Sequence, residues 1–301
     1  MTDEDLKKLE SAGKIAREVA EWSKSLVKPG VKLLEFAEAV EKKIIEKGAK
    51  CAFPVNISIN ENAAHYTPSA DEESVFSEKD VVKIDIGAHI DGFIGGDTAY
   101  TIDLSGQNGK LVEASEKALE IAVSMIRDGV ETSKIGKTIE ETIRKYGCKP
   151  IENLYGHVLE HYVLHTGLSI PNVETKYSYV LEEGMVVAIE PFATTGTGTV
   201  HEGKRTDIFC YNKNILTRNK DARDILAFVC KEYETLHFAE RWLAKKYDKF
   251  KLGLALRELV SKEALVSFPV LHDSAGSFVS QAEVTVLVEK DSCKILTKRD
   301  L

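Results

Sequence analysis

One stretch, residues 81–101 with the sequence VVKIDIGAHIDGFIGGDTAYT, constrains the fold more than any other part of the chain. Two runs of strand-forming residues flank Asp91-Gly92, a dipeptide typical of the type I′ turn because both residues tolerate positive φ. The sequence therefore predicts a β-hairpin. Asp85 in the first strand and Asp97 in the second lie among apolar neighbours. A buried carboxylate is costly unless it meets a cation or hydrogen-bond donors, so the pair suggests a metal site; the alternative is that both are solvated on the outer faces of a surface hairpin.

The register of this hairpin decides whether its two aspartates share a face. With a two-residue turn and regular pairing, Asp85 and Asp97 lie on opposite faces, because side chains alternate along a strand. One extra residue bulged out at Gly95-Gly96 would instead place Asp85 opposite Ala99 and bring Asp97 to the same face. Glycine is the usual residue at such a bulge. We therefore predict a one-residue bulge at these two glycines.

Composition and charge exclude several classes of protein. The chain has 301 residues, of which 43% are hydrophobic and 29% charged, which indicates a globular protein of one large domain or two ordinary ones. The net charge is −8 and the lysines are interleaved with acidic residues, so we expect no nucleic-acid partner. No stretch approaches the length of a membrane span, and the acidic start MTDEDLKKLE is unlike a signal peptide. We expect a cytoplasmic protein with no membrane partner, and five cysteines without a CxxC pair fit reduced thiols.

The periodicity of apolar residues predicts an α+β architecture. Amphipathic helices are expected over residues 3–27, 32–48, 108–128 and 133–146, so that a pair of helices followed by strands occurs twice. The segment from about 212 to 266 is charged, free of proline and strongly helical in pattern. We interpret this segment as a helical insert.

Histidines supply further candidates. His65 lies in an Asn-rich loop, where a histidine usually has no special role. His157, His161 and His165 are spaced by four residues, so they would share one face on a helix and also on a strand. The spacing alone does not choose between the two.

Two glutamates complete a set of metal-ligand types. Glu190 follows the apolar run MVVAI and precedes a proline, which places it at the end of a strand, and Glu283 interrupts a strand pattern. A lone acidic residue in a strand commonly faces solvent. Taken together, however, four carboxylates and one imidazole lie in or beside apolar β-segments: Asp85, Asp97, His157, Glu190 and Glu283. Such a set is typical of a dinuclear site, and its ligands suit Mn, Fe, Co or Zn in the divalent state.

Five segments carry a family resemblance. In chain order they are NAAHYTP, KIDIGAHIDGFIGGDTA, NLYGHVLEHYVLHTGLSIPNV, VVAIEPFAT and QAEVTVLVEKD. They resemble the type 2 methionine aminopeptidases, which are metallopeptidases of the pita-bread fold (family M24), and the short N-terminal region is similar to the archaeal forms. The resemblance implies a curved antiparallel sheet flanked by helices in two pseudo-twofold halves. It also implies a single catalytic domain over residues 1–301, with the insert at 212–266 inside it.

The resemblance also implies roles for individual residues. The five acidic and imidazole residues named above would be the metal ligands, and Glu190 would also be catalytic. His65 and His165 would be the catalytic, substrate-contacting histidines that bind no metal. The methionine pocket would be lined by Phe53, His201 and Phe268.

Two departures from the family pattern bear on the geometry of the site. The hairpin aspartates are twelve residues apart, one more than is usual in the family. Ala282 and Val284 flank Glu283, where the family commonly has Phe and His.

The activity implied is removal of the N-terminal methionine from nascent proteins and peptides whose second residue is small. The resemblance implies two divalent metal ions as cofactors, and the sequence does not identify the metal. It further suggests a monomer that acts near the ribosome. A prolidase-like or X-Pro aminopeptidase and a non-catalytic binding protein of the same fold are the alternatives. A third alternative is a zinc protease of the H-x-x-E-H type, matched by residues 157–161 and requiring a helix there.

Overall fold

A computed structural model describes residues 1–297. The helices are α1 Asp3–Lys24, α2 Leu33–Glu46, α3 Gly109–Met125, α4 Thr132–Lys145, α5 Lys220–Glu232, α6 Glu240–Ala244 and α7 Lys249–Ser261. The strands are β1 Lys50–Cys51, β2 Asn56–Ile59, β3 Asn62–Ala64, β4 Val81–Ile90, β5 Phe93–Asp103, β6 Lys149–Pro150, β7 Tyr155–Leu159, β8 Ser169–Pro171, β9 Val186–Ile189, β10 Phe192–Thr194, β11 His201–Tyr211, β12 His237–Ala239, β13 Leu265–His272, β14 Val279–Gln281, β15 Val284–Val288 and β16 Cys293–Ile295.

The first half of the chain is a pair of helices on a sheet. Helix α1 begins with a capping box, in which the Thr2 hydroxyl accepts from the Asp5 N–H and the Thr2 N–H donates to the Asp5 carboxylate. The apolar faces of α1 and α2 cover β2, β4 and β5, and one core cluster joins all five elements. The first two predicted helices and the hairpin are confirmed.

The predicted bulge is also present, and it sets the face of each aspartate. Asp85 pairs with Ala99 and Gly87 pairs with Asp97, which places both aspartates on one face. The register shifts at the next pairs towards the turn, where Gly95 has no partner on β4. The extra residue of the hairpin is therefore absorbed without moving Asp97 off the face of Asp85.

Helix α1 packs directly on this bulge. An ideal Cβ built at Gly95 would lie 1.9 Å from the carbonyl oxygen of Leu9, and one at Gly96 would lie 2.5 Å from the Ala16 Cβ. No side chain fits between helix and strand at either position. The glycines therefore serve both the bulge and the close approach of α1.

The second half repeats the arrangement with different strands. Helices α3 and α4 cover a sheet of order β16-β15-β9-β7-β8, and a second core cluster fills the space between them. A single antiparallel bridge between Ala99 and Glu283 joins β5 of the first half to the residue before β15. The two halves therefore meet along this line.

The predicted insert is less uniformly helical than its sequence pattern indicates. It contains α5, α6 and α7, which share a core cluster with Phe209 and Phe238, but the helical run is broken after α5. Glu234 has a positive φ of 52°, and the next residues form β12, which pairs with β11. The prediction missed this short strand because Leu236-His237-Phe238 continues the apolar spacing of the helix. β12 matters for the site, since it places His237 in the cavity.

Candidate metal centre and substrate cavity

The five predicted metal ligands line one cavity of about 280 Å³. Asp85 and Asp97 come from the hairpin, and His157 comes from β7. Glu190 directly follows β9. Glu283 is not solvent-facing, as a lone acidic residue in a strand commonly is, because its backbone exchanges two hydrogen bonds with Ala99 and its side chain is only 3% exposed.

Strand register explains why these residues converge. β15 pairs with β9 through Val284 and Ile189, so continuing that register by one residue sets Glu283 opposite Glu190. On the other side of β9, His157 pairs with Ala188, two residues before Glu190 and on the same face. The sheet therefore presents the imidazole and both glutamates to one space.

The distances within the group are those of a potential metal centre. The Nε2 atom of His157 lies 3.6 Å from Oδ2 of Asp97 and 3.7 Å from Oε1 of Glu190. Asp97, His157 and Glu283 each offer one ligand atom, and these atoms lie within 4.8 Å of one another. The amide of Gln281 donates at 3.4 Å to both Glu190 and Glu283, which orients the two carboxylates.

The charge balance of this group calls for a cation. Burial raises the pKa of Asp85 to about 7, and burial together with the neighbouring carboxylates raises the pKa of Asp97, Glu190 and Glu283 well above its usual range. Burial also lowers the pKa of His157 well below its usual range. Oδ1 of Asp85 is buried without a hydrogen-bond partner in the described part of the chain. Four converging carboxylates with an unpaired oxygen fit a divalent metal better than any protein partner present here.

His165 and His65 lie beside this centre. The ring centroid of His165 is 4.4 Å from that of His157. His65 has a positive φ of 64°, and its Nδ1 lies 3.3 Å from the carbonyl oxygen of Pro269. Burial lowers the pKa of each of these two histidines to about 4, so both are neutral at physiological pH.

The three predicted pocket residues do not all line the cavity. Phe53 lines the cavity, and its ring occupies the space in front of Gly87, where a Cβ would come within 2.3 Å of it. The ring of Phe268 is 5.7 Å from that of His65. His201, however, is wrong as a pocket residue: it is exposed at the start of β11, opposite His272 in register.

Sequence reasoning missed several cavity residues, among them Ile208 and His237. Ile208 lies seven residues beyond His201 on β11 and faces the cavity. His237 on β12 also lines it, with its ring centroid 5.4 Å from His165 and 4.0 Å from Phe268. A histidine between two apolar residues was the only signal for His237, and the helical interpretation of that segment concealed it.

The structure excludes the H-x-x-E-H alternative. Tyr155–Leu159 is a strand, so His157 and His161 do not share a helical turn. His161 instead extends towards the hairpin, where its Nε2 lies 2.8 Å from the carbonyl oxygen of Asp91.

Comparison with known proteins agrees with this geometry. The family model described as metallopeptidase family M24 matches residues 7–217. The chain belongs to metallopeptidase family M24. It is 50% identical over 295 residues to a methionine aminopeptidase of Pyrococcus horikoshii, an alignment that covers 98% of this chain and all of the relative. This identity confirms the predicted resemblance to the type 2 methionine aminopeptidases and the prediction of a hydrolytic metallo-exopeptidase.

Solved structures confirm the predicted pita-bread fold. A thermophilic Arx1 superposes with a TM-score of 0.87 at 20% identity, covering 100% of this chain and 92% of that one. The methionine aminopeptidase of Thermotoga maritima superposes with a TM-score of 0.71 at 22% identity, covering 99% and 98%. Within residues 1–297, no helix combines the length and apolar character that crossing a bilayer requires.

Proposed function

We propose that this protein is a metal-dependent methionine aminopeptidase, which removes the N-terminal methionine from nascent proteins and peptides when the second residue is small. The observation that carries the proposal is the convergence of four buried carboxylates and His157 in one cavity. A relative that is 50% identical over almost the whole chain is named methionine aminopeptidase. This supports an N-terminal methionine as the substrate over the X-Pro bond of a prolidase. A binding protein without catalysis would have no need to bury these charges together.

Asp85, Asp97, His157, Glu190 and Glu283 are proposed as the ligands of two divalent ions, drawn from Co, Mn, Fe and Zn. Their oxygen-rich donor set with one imidazole nitrogen supports this choice. When bound, the ions supply Lewis acidity, which polarises the first peptide carbonyl and makes a water nucleophile available at neutral pH.

The remaining groups of the cavity are proposed to move protons and orient the substrate. The Glu190 carboxylate takes a proton from the attacking water and passes it to the leaving amine. The neutral His165 donates a hydrogen bond to the carbonyl oxygen, where negative charge develops, and His65 contacts the scissile nitrogen. Because burial keeps both imidazoles uncharged, each has one N–H donor and one acceptor, and in His65 the Nδ1–H donates to the Pro269 carbonyl, which leaves Nε2 as the acceptor for the substrate.

The methionine side chain is proposed to enter the apolar side of the cavity. Phe53 supplies an aromatic wall there, Phe268 packs against the rings of the lining residues His65 and His237, and Ile208 from β11 lines the cavity in place of the predicted His201. The enzyme is proposed to act as one catalytic domain in which the insert at 212–266 supplies one wall through β12. We further propose that it works as a monomer in the cytoplasm, near the ribosome.

Replacing Asp97 tests the ligand assignment. Asp97→Asn keeps the shape of the side chain and removes its charge, so cleavage of a Met-Ala-Ser peptide in the presence of Mn²⁺ or Co²⁺ should fall by several orders of magnitude, and the bound metal should fall with it. The matched control is Asp91→Asn in the same hairpin, because Asn suits a turn residue with positive φ and Asp91 is outside the cavity. Metal content measured by atomic emission and peptide cleavage with and without chelator give the two readouts.

The outcomes separate the ligand set from the activity. Full metal content and normal turnover in Asp97→Asn would refute the ligand assignment. A metal-loaded wild-type protein that cleaves an Ala-Pro dipeptide but not Met-Ala-Ser would refute the proposed substrate.

A further inference from the structure

His237 is a polar residue in the cavity that the proposed mechanism does not use. Its side chain is 7% exposed and lines the cavity, and among residues 1–297 no group hydrogen-bonds to its ring. Its ring nitrogens are not among the fully buried atoms that lack a partner, so the unpaired ring opens into the cavity, where an occupant that covers it without accepting a hydrogen bond would leave a costly unpaired donor. The partner is therefore expected to come from a molecule that enters the cavity.

The surroundings of His237 are apolar and aromatic. Its ring lies against Phe268 with centroids 4.0 Å apart, and β12 places it on the same face of the sheet as Ala239, which pairs with Ile208. Ile208 in turn pairs with Phe268 across β11 and β13. His237 therefore belongs to the wall that the proposed function gives to the substrate side chain.

His237 is neutral in this setting. Burial lowers its pKa well below the usual range, and the nearby His165, His65 and His157 lower it further. None of the groups that shift it is a carboxylate, in contrast to the metal-binding end of the cavity. A neutral imidazole presents one N–H donor and one acceptor nitrogen.

We propose that His237 determines specificity, by donating its ring N–H to the thioether sulfur of the substrate methionine. Sulfur is the one polar atom of the methionine side chain and a weak hydrogen-bond acceptor. An aliphatic side chain of the same shape has no such acceptor. An aliphatic occupant would leave the donor unpaired, so the site would disfavour it. The inference rests on the proposed function, since it assigns the wall carrying His237 to the methionine side chain.

The test compares methionine with norleucine, which replaces the sulfur by a methylene. kcat/KM is measured for Met-Ala-Ser and norleucine-Ala-Ser with the Mn²⁺-loaded wild type, His237→Phe and His237→Asn. Calorimetry gives the Kd of free L-methionine and L-norleucine for the same three proteins. His201→Phe is the matched control, because that exposed histidine is outside the cavity.

The preference for methionine over norleucine should fall roughly two- to five-fold in His237→Phe, as expected for loss of one weak hydrogen bond, and recover partly in His237→Asn, which keeps a donor. If His237 has a purely structural role, its replacement should lower kcat/KM equally for both substrates. If the ratio of kcat/KM for the methionine peptide to that for the norleucine peptide is the same in wild type and both variants, with turnover retained, the inference is overturned and the proposed function stands. If the wild type cleaves neither peptide, the proposed function fails, and the calorimetric ratio alone decides whether His237 discriminates sulfur from methylene.

Discussion

The close packing of α1 on the hairpin bulge makes Gly95→Ala the sharpest test of the fold. The new Cβ would lie 1.9 Å from the carbonyl oxygen of Leu9 and 2.6 Å from its carbonyl carbon. Both are backbone atoms within a helix of 22 residues, so they cannot rotate away as a flexible side chain could. The helix must shift, or the bulge must change its shape.

The cost of this clash can be estimated from overpacked cores. Inserting a methyl group into a well-packed interior costs about 1–3 kcal/mol and occasionally more. Because the obstacle at Gly95 is backbone, we expect a loss of at least about 3 kcal/mol. At roughly 2 °C per kcal/mol for a large domain, the melting temperature should fall by about 6 °C or more. Metal affinity should fall too, since Asp97 is only two residues away.

Unfolding by urea, followed by circular dichroism, measures this loss in chelator-treated protein, so that metal binding does not contribute. Gly109→Ala is the control: it lies at the exposed first position of α3, and among residues 1–297 no atom outside its own helix backbone and chain neighbours is within 4 Å of its ideal Cβ. That variant should be unchanged or more stable by up to about 1 kcal/mol. If Gly95→Ala unfolds at the same urea concentration as Gly109→Ala, the packing argument is refuted.

Three further predictions concern other parts of the chain. Arg241→Ala should destabilise the protein by about 3–5 kcal/mol in urea unfolding, because it leaves the buried Glu41 without its cation; a loss below about 1 kcal/mol would contradict this. Burial lowers the pKa of His89 from 6.5 to about 4. The neutral imidazole therefore makes its full contribution to the free energy of unfolding above pH 6.5, and this contribution is lost as the pH falls towards 4. His89→Gln should remove about 3 kcal/mol of that pH dependence, whereas parallel pH–stability curves for the two proteins would show that the histidine is not the cause. Gly87→Ala should displace the Phe53 ring and raise KM for Met-Ala-Ser several-fold, and an unchanged KM would place Phe53 outside the pocket.

Local sequence patterns were sufficient to predict a feature wherever it depends on a single helix or hairpin. The twelve-residue spacing between Asp85 and Asp97 allowed a shared face only with a bulge, and the two glycines showed where it should be. The helix boundaries followed from apolar periodicity and from glycines that end helices. Which side chains of a strand share a face depends on their spacing in the chain, so this feature could be predicted from the sequence.

Local rules could not decide the outcome where it depends on distant elements. Nothing in the local sequence shows that Glu283 pairs with Ala99, which is 184 positions earlier in the chain, and a mid-strand glutamate alone suggests solvent. Likewise, His201 and Ile208 are on the same strand, and only the register of β11 against its neighbours decides which of them faces the cavity. His237 was hidden for a different reason, because a strand of three residues is too short to show a period of its own.

The bridge between Ala99 and Glu283 has a mechanical consequence. The cluster of acidic groups lies at the junction of the two halves, with Asp97 on one side and His157 and Glu190 on the other, beside an apolar cluster that also joins them. A bound cation would hold the two halves together through its ligands, whereas without it the carboxylates repel one another, which is part of the reason that their pKa values are raised. Amide hydrogens along this junction should therefore exchange faster after chelation, while those deep inside either core keep their protection.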